Sequence, residues 1–575
     1  METKNSESGK MFADLVIVNG KVITVDSHFS IAEAVAVRDG RIIAVGKDDE
    51  VKKLAGENTR VLDLKRKTIL PGINDSHVHP SGYGLTLPPL SLALSYPTVK
   101  SIADIRKATE EKVKTVKPGE WIQGFGWDEG YLDECLKDPK RHPNRWDLDP
   151  VSPNNPVCFH YAAGNTQWLN SKALELAGIN KDTPAPNVGE IDKDPTTGEP
   201  TGIIKGLGFM LAKVLPNWTK QQKKDAIVVG LKVANADGVT SITEGALGSD
   251  GIGLPGGMGD AETTSAYNDL YNEGKLTARV NILMFFGEGG IQTFKTWKKG
   301  IDYIGIHTGF GNDWLRIAGA KIFADGDSLA KTAWMHEEYP GGGNGRLSIP
   351  GNTDEERYNE LIKMIVYAHK HGFQLGIHAI GDRTIDACVD GFIKAIEEYP
   401  WDARHYILHG NFVTPECIKR MAKYNIGMNL QTTLKWETSD LVDSVLGKER
   451  SSQETPVKWL VDAGVHVCNT SDLATLHRDW KQGVMSAVLR ESKASGMVSG
   501  PEQRVSREDA IRMCTIEGAW QDHMEHIKGS IEIGKLADFC VLDEDILTID
   551  AHRIADIPVL MTIIGGKVIY DANAV

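Results

Sequence analysis

The sequence has no long apolar run. No stretch approaches the roughly 20 apolar residues that cross a bilayer, so no membrane span is expected. The first residues, METKNSESGKMF, are polar and lack the apolar core of a secretory leader. Cysteine is scarce and unpaired. The seven residues (Cys135, Cys158, Cys388, Cys417, Cys468, Cys514 and Cys540) are odd in number and include no Cys-x-x-Cys pair. They read as free thiols of a reducing, cytoplasmic compartment, where the Asn217-Trp218-Thr219 sequon has no role. Positive charge is in deficit: 64 Lys and Arg stand against 78 Asp and Glu, for a net charge of −14. With no basic amphipathic stretch either, nucleic acid and anionic membranes are poor partners. No internal repeat or low-complexity tract interrupts the chain.

What is present suits a globular protein with a sizeable core. The 575 residues are 41% hydrophobic and 25% charged, which allows several domains or one large barrel with a companion. Both ends read as β-structure. DLVIVNGKVITVD and AEAVAVRDGRIIAVG each place an Asn-Gly or Asp-Gly turn between apolar runs, a strong hairpin signal. LADFCVLDED (536–545) and VLMTIIGGKVIYD (559–571) repeat the style. One β-sandwich built from residues 1–68 and 525–575 is therefore expected.

Between the ends the pattern alternates. Candidate strands lie at 69–75, 238–244, 279–285, 314–322, 373–378, 404–409, 425–430 and 465–471, with helical spacing between most of them. KKDAIVVGLKVANADG and DEERYNELIKMIVYAHKHG carry apolar residues at helical intervals and stop at Gly. The expectation is an α/β fold with a (β/α)8 TIM-type barrel over 69–524, an open doubly wound sheet being the alternative. Residues 80–222 are too long for a loop and read as an inserted subdomain after barrel strand 1, over the barrel mouth.

In such a barrel the chemistry sits at the carboxyl ends of the strands. The first expected strand ends in His77-Val78-His79, whose two imidazoles share one side of a strand. Lys321 lies on the fourth strand, His378 and His409 end the fifth and sixth, and Asp472 follows the eighth. Four imidazoles and a carboxylate suit a zinc or similar divalent site. As an ammonium Lys321 repels a cation, so it serves as a neutral amine or as a carbamate made with carbon dioxide. A metal lowers the pKa of bound water toward neutrality. Asp472 is the candidate base that takes the proton and passes it on.

The chain resembles the amidohydrolase superfamily of metal-dependent hydrolases, and more narrowly its amidohydrolase-3 branch, which includes N-substituted formamide deformylases. The resemblance rests on PGINDSHVH, WIQGFGWDE (121–129), PTGIIKG (200–206), AKIFADGDS (320–328), HAIGDR (378–383), TSDL (470–473) and KGSIEIGKLADFCVLD (528–543). It implies a barrel, a composite β-sandwich, one or two zinc or other divalent ions, and a homodimer. It carries His77, His79, Lys321, His378, His409 and Asp472 over as ligands, with His409 also helping to polarise the substrate carbonyl and Lys321 as a candidate N6-carboxylysine. The implied reaction is hydrolysis of a non-peptide C–N bond in a small molecule. Ester or lactone hydrolysis, or deamination, uses the same site, and a non-catalytic barrel-scaffold binding protein is the alternative of another class.

The sequence also departs from that branch. Tyr161, Ala163 and Asn165 stand where relatives usually carry Arg and then Asp-Gly-His, and Gly206 and Leu408 stand where Glu is usual. The expected pocket is less charged, with Tyr161, Asn165, Trp127, Trp168 and Gly206 contacting substrate. Asp325 and Asp382 follow Lys321 and His378 closely and are candidates for orienting the ligands. Each residue also has a plainer reading. His378 suits a buried core His, Asp472 a helix cap, Asp325 a turn, and Trp121, Trp127, Trp168 and Tyr161 ordinary packing. His371 and His477 read as surface or helix-end residues.

Overall fold

The computed structural model describes residues 12–162, 166–184, 189–211, 214–248, 259–288, 290–473 and 479–573. They form two compact units. The first contains the described parts of 1–79, 231–249 and 271–575. Its centre is a sheet of eight parallel strands: Ile73–Val78, Val239–Gly248, Arg279–Phe285, Leu315–Phe323, Leu375–Ala379, Tyr406–His409, Gly427–Leu430 and Val467–Asn469. Each pairs with the next in chain order. Strands such as RVNILMF are buried along their whole length, as expected where a parallel sheet is covered on both faces.

The ladder itself does not close, because the eighth strand is short. Closure is completed one turn later by the backbone N–H of Asp472, which donates to the carbonyl of His77 at 3.1 Å. The N–H of His77 in turn donates to Thr470 Oγ1 at 2.9 Å. Asp75 reinforces this seam, accepting from Thr470 Oγ1 and from Ser471 N and Oγ, the latter at 2.5 Å. Strand 1 and strand 8 are thus locked together beside the residues expected to act.

Two further sheets flank the barrel. One orders Arg41–Gly46, Ala34–Arg38, Leu15–Val18 and Arg60–Asp63. The other orders Lys567–Asp571, Val559–Ile564, Phe539–Leu542, Thr68–Pro71, Lys21–Ile23 and Ile31–Ala32, so residues from both chain ends share one sheet. Leu15, Ile17, Val35, Val37, Ile69, Phe539, Val541 and Ile563 pack into a single buried cluster between them. The Asp39-Gly40 hairpin takes positive φ at both residues, 50° and 73°, the demand that Asp-Gly meets. A bidentate pair, Arg279 to Asp538 at 2.6 and 2.9 Å, links the third barrel strand to this composite sheet.

One expected strand divides. Residues 69–75 belong partly to the flanking sheet (Thr68–Pro71) and partly to the barrel (Ile73–Val78). The chain switches sheets at Gly72, where a Cβ would lie 2.1 Å from Thr240 Oγ1. Alternation alone cannot reveal that break. The other seven expected strands fall on barrel strands, the second extending to Gly248. The two expected helices form as Lys220–Ala236 and Asp354–Lys370. Thr353 caps the latter, and Gly372 follows it at φ 79°. Among the described residues no helix is long and apolar enough to cross a membrane.

The second unit comprises the described parts of 80–230 and 250–270. Its sheet orders Glu190–Lys193, Pro200–Lys205, Thr166–Leu169, Val157–Tyr161, Ile122–Trp127 and Leu92–Ala93. A core of Ile105, Ile122, Trp127, Leu148, Val157, Phe159 and Trp168 fills it. This unit has its own core, which is why it is far more than a loop. A second device pins its two chain segments: the buried Lys223 ammonium pairs with Asp260 at 2.6 Å and Glu262 at 3.1 Å.

Candidate metal centre

The six residues from five strand ends come together. His77 and His79 leave strand 1 with ring centroids 5.0 Å apart. Asp472 Oδ1 lies 3.7 Å from His77 Nε2 and 3.6 Å from His79 Nε2. Ligand atoms of these three lie within 4.8 Å of one another. Lys321 Nζ is 3.4 Å from His77 Nε2. His409 continues the cluster, its ring 5.6 Å from His77 and 4.4 Å from His378.

Local structure fixes this arrangement. His409 and Asp472 both adopt positive φ, 74° and 52°, the left-handed region in which Asp and His are found more often than most other side chains. The turn at each strand end thus sets the direction of the side chain. Asp472 does not cap the helix Trp480–Leu489; Asp479 does. Gly245 on strand 2 makes room for the first two imidazoles: a Cβ there would lie 2.6 Å from His77 Cε1 and 2.9 Å from His79 Cε1.

Burial sets the charge state. It pushes the His77 and His378 pKa values well below the ordinary imidazole value and lowers that of His79. All three rings are neutral, the form that ligates a metal. Burial also brings the fully buried Lys321 amine down to about 7. The cost of an isolated buried ammonium is thereby avoided.

Hydrogen bonds then select one nitrogen on each ring. His79 Nδ1 donates to Gly245 O at 3.1 Å, His409 Nδ1 to Gln431 Oε1 at 2.9 Å, and His378 Nε2 to Gly326 O at 3.3 Å. In each ring the second nitrogen keeps the lone pair, as metal-binding imidazoles require. Two neutral imidazoles and a carboxylate within one small sphere are a donor set suited to a divalent cation.

The amidohydrolase family model (Amidohydro_3) matches residues 60–570. This chain belongs to the amidohydrolase family. The chain is 29% identical over 572 residues to the protein LONG AFTER FAR-RED 3 of Arabidopsis thaliana, covering 97% of this chain and 92% of that one. It is 28% identical over 564 residues to the N-substituted formamide deformylase of Arthrobacter pascens, covering 97% and 98%. An uncharacterized metal-dependent hydrolase from Pyrococcus furiosus shares its fold, with a TM-score of 0.71 at 24% identity over 93% of this chain and 100% of that one.

Several expected site residues of the amidohydrolase have other work. Trp127 and Trp168 are buried in the core of the second unit, and Trp127 Nε1 donates to Phe159 O at 3.1 Å. They are packing residues there, because an indole so enclosed offers no free surface. Gly206 is exposed at φ 67°, so its glycine answers a backbone need at the end of Pro200–Lys205. Tyr161 is half-buried, rests edge-on against Trp127 at 5.1 Å, and has its hydroxyl pushed up to about 12 by burial and the adjacent Asp128. Asn165 lies outside the described residues, as does His477. His371 ends the helix Asp354–Lys370 and is exposed.

The two flanking carboxylates separate. Asp325 Oδ1 lies 3.7 Å from His378 Nε2. It also accepts from Ile380 N, Gly381 N, Trp334 N and Thr384 Oγ1. Burial nevertheless raises its pKa to about 6. Asp382 instead accepts from His336 N at 2.8 Å and holds a surface loop, so it does not orient His378.

Four further residues, not expected from the sequence, support the cluster. Asp75 locks the barrel seam, Gly245 makes room for the imidazoles, Gln431 fixes His409, and the buried Glu244 carboxylate lies 4.0 Å from His79 Nδ1. Asp75 alone had a signal, lying two residues before His77 on the same strand face.

Proposed function

We propose that this amidohydrolase hydrolyses a non-peptide C–N bond, of the amide or formamide type, in a small molecule. The supporting observation is the convergence of His77, His79 and Asp472 beside the buried Lys321. The chain is also 28% identical to an N-substituted formamide deformylase across nearly its whole length. His77, His79 and Asp472 would hold one zinc or other divalent ion, and Lys321, His378 and His409 a second. Such an ion supplies Lewis-acid polarisation of the carbonyl and a lowered pKa for water.

The protein's own groups do the rest. The Lys321 amine adds to carbon dioxide through its lone pair and loses a proton, becoming an anionic carbamate. An awkward buried cation is thereby replaced by a ligand. Asp472 takes the proton of the attacking water and returns it to the leaving nitrogen. The seven free thiols suit a reducing, cytoplasmic setting.

The test is Asp472→Asn, with metal content and product analysis. The variant should keep metal yet lose most turnover on N-substituted formamides, while wild type releases the free amine and the acid. Full activity in the variant removes Asp472 from the role of base. Release of ammonia from a ring, or of an alcohol from an ester, in place of an amine removes the C–N reading.

A further inference from the structure

Barrel strand 7, Gly427–Leu430, is followed directly by Gln431, which touches the cluster at His409. Gln431 Oε1 lies 2.9 Å from His409 Nδ1. An amide oxygen only accepts, so His409 carries its proton on Nδ1 and keeps its lone pair on Nε2. With the opposite tautomer, two acceptors would face each other. The other end of the same amide, Gln431 Nε2, is buried and has no hydrogen-bond partner among the described residues. The residue is only 3% exposed, so its amide nitrogen lacks the water contact that an exposed amide enjoys. An unmet buried donor is costly, and an acceptor on a bound ligand would relieve that cost.

The anchor of this side chain is rigid. Thr432, the next residue, opens the helix Thr432–Leu446. Its N–H and hydroxyl both contact Asn469 Oδ1, at 3.2 and 2.9 Å, and its hydroxyl also reaches Gly483 O at 2.7 Å. Strand 7, strand 8 and the helix Trp480–Leu489 therefore all hold the backbone next to Gln431. A placement so constrained serves orientation.

We propose that Gln431 has two roles at this centre: its Oε1 sets the His409 tautomer that can ligate a divalent ion, and its Nε2 donates to the carbonyl-type oxygen of the bound substrate. The second role rests on the reading of the substrate as an amide-type molecule. Gln431 is a positioning residue toward His409 and a binding residue toward that oxygen.

Two variants of the full chain separate the roles. Gln431→Glu keeps an acceptor and loses the donor; Gln431→Met loses both. Zinc affinity is measured by competition with a chromophoric chelator. Acetohydroxamate, a small carbonyl ligand, is then titrated calorimetrically onto zinc-saturated protein. Gln431→Glu should bind zinc about as tightly as wild type, whereas Gln431→Met should lose roughly 10–100-fold. Both should bind acetohydroxamate at least roughly 10-fold more weakly. Loss in the neutral as well as the anionic variant distinguishes a missing donor from charge repulsion.

Wild-type zinc affinity in Gln431→Met overturns the first role. Wild-type acetohydroxamate affinity in either variant overturns the second. Should Gln431→Met fail to fold, Gln431→Leu takes its place in both titrations. Neither readout depends on turnover, so a wild type that hydrolyses no amide refutes the C–N reading alone.

Discussion

Lys321 Nζ lies 3.4 Å from Nε2 of His77, and both side chains are fully enclosed. Burial holds the amine near pKa 7, so much of it is uncharged and nucleophilic in neutral solution. Intact-mass analysis under native conditions should find an added carbon dioxide on the protein. Added bicarbonate should increase divalent ion uptake by the apo-protein. Lys321→Met should abolish both effects. Uptake indifferent to bicarbonate in wild type would remove the carbamate from the site.

Gly245 is the most sensitive position near the imidazoles. In Gly245→Ala the new methyl would meet His77 Cε1 at 2.6 Å and His79 Cε1 at 2.9 Å. The rings must turn away from Asp472. Metal affinity should fall by at least roughly 10-fold with little change in circular dichroism. Elemental analysis showing wild-type metal content would refute this tight fit.

His369 and His405 form a buried pair outside the candidate metal cluster. The N–H of Leu375 donates to His405 Nδ1 at 3.0 Å; His405 Nε2 donates to His369 Nδ1 at 2.8 Å; His369 Nε2 donates to Tyr399 O at 2.7 Å. Every ring nitrogen is used with both rings neutral. Burial lowers both pKa values, that of His405 well below the ordinary value, with His369 and His523 adding to it. The unfolded chain therefore takes up more protons than the native one below about pH 6.5, and stability falls as pH falls. Between its native and unfolded pKa values such a site loses at most about 1.4 kcal/mol per pH unit. Metal-loaded His405→Gln should show a shallower fall in melting temperature between pH 6.5 and 5 than metal-loaded wild type; an equal slope would clear the pair.

Thiol reactivity should divide sharply. Cys158, Cys388, Cys417, Cys468, Cys514 and Cys540 are buried, and Cys135 alone is half-exposed. Burial raises the pKa of each, suppressing the reactive thiolate. A disulfide reagent should modify one thiol slowly in native protein and all seven after denaturation. Rapid native modification of several thiols would contradict the packing.

Strand positions were legible because each barrel strand is a short apolar run with turn residues at its ends. Gly72 was not, because the sheet switch there depends on Thr240, far away in sequence. Trp127 and Trp168 looked like pocket residues on motif alone; their burial depends on strands that only pair once the second unit folds.

The sequence by itself determined which side chains could offer ligand atoms. Residue type and strand-end position marked His77, His79, Lys321, His378, His409 and Asp472, since side-chain direction along a strand is a local property. The tertiary structure decided their protonation and aim. Asp472 reaches the His pair only across the barrel seam, and the lone pair on His409 is selected by Gln431 on the neighbouring strand. Lys321 loses its charge because folding removes water around it. Tautomer, seam and desolvation all arise between residues distant in the chain, where sequence spacing carries no information.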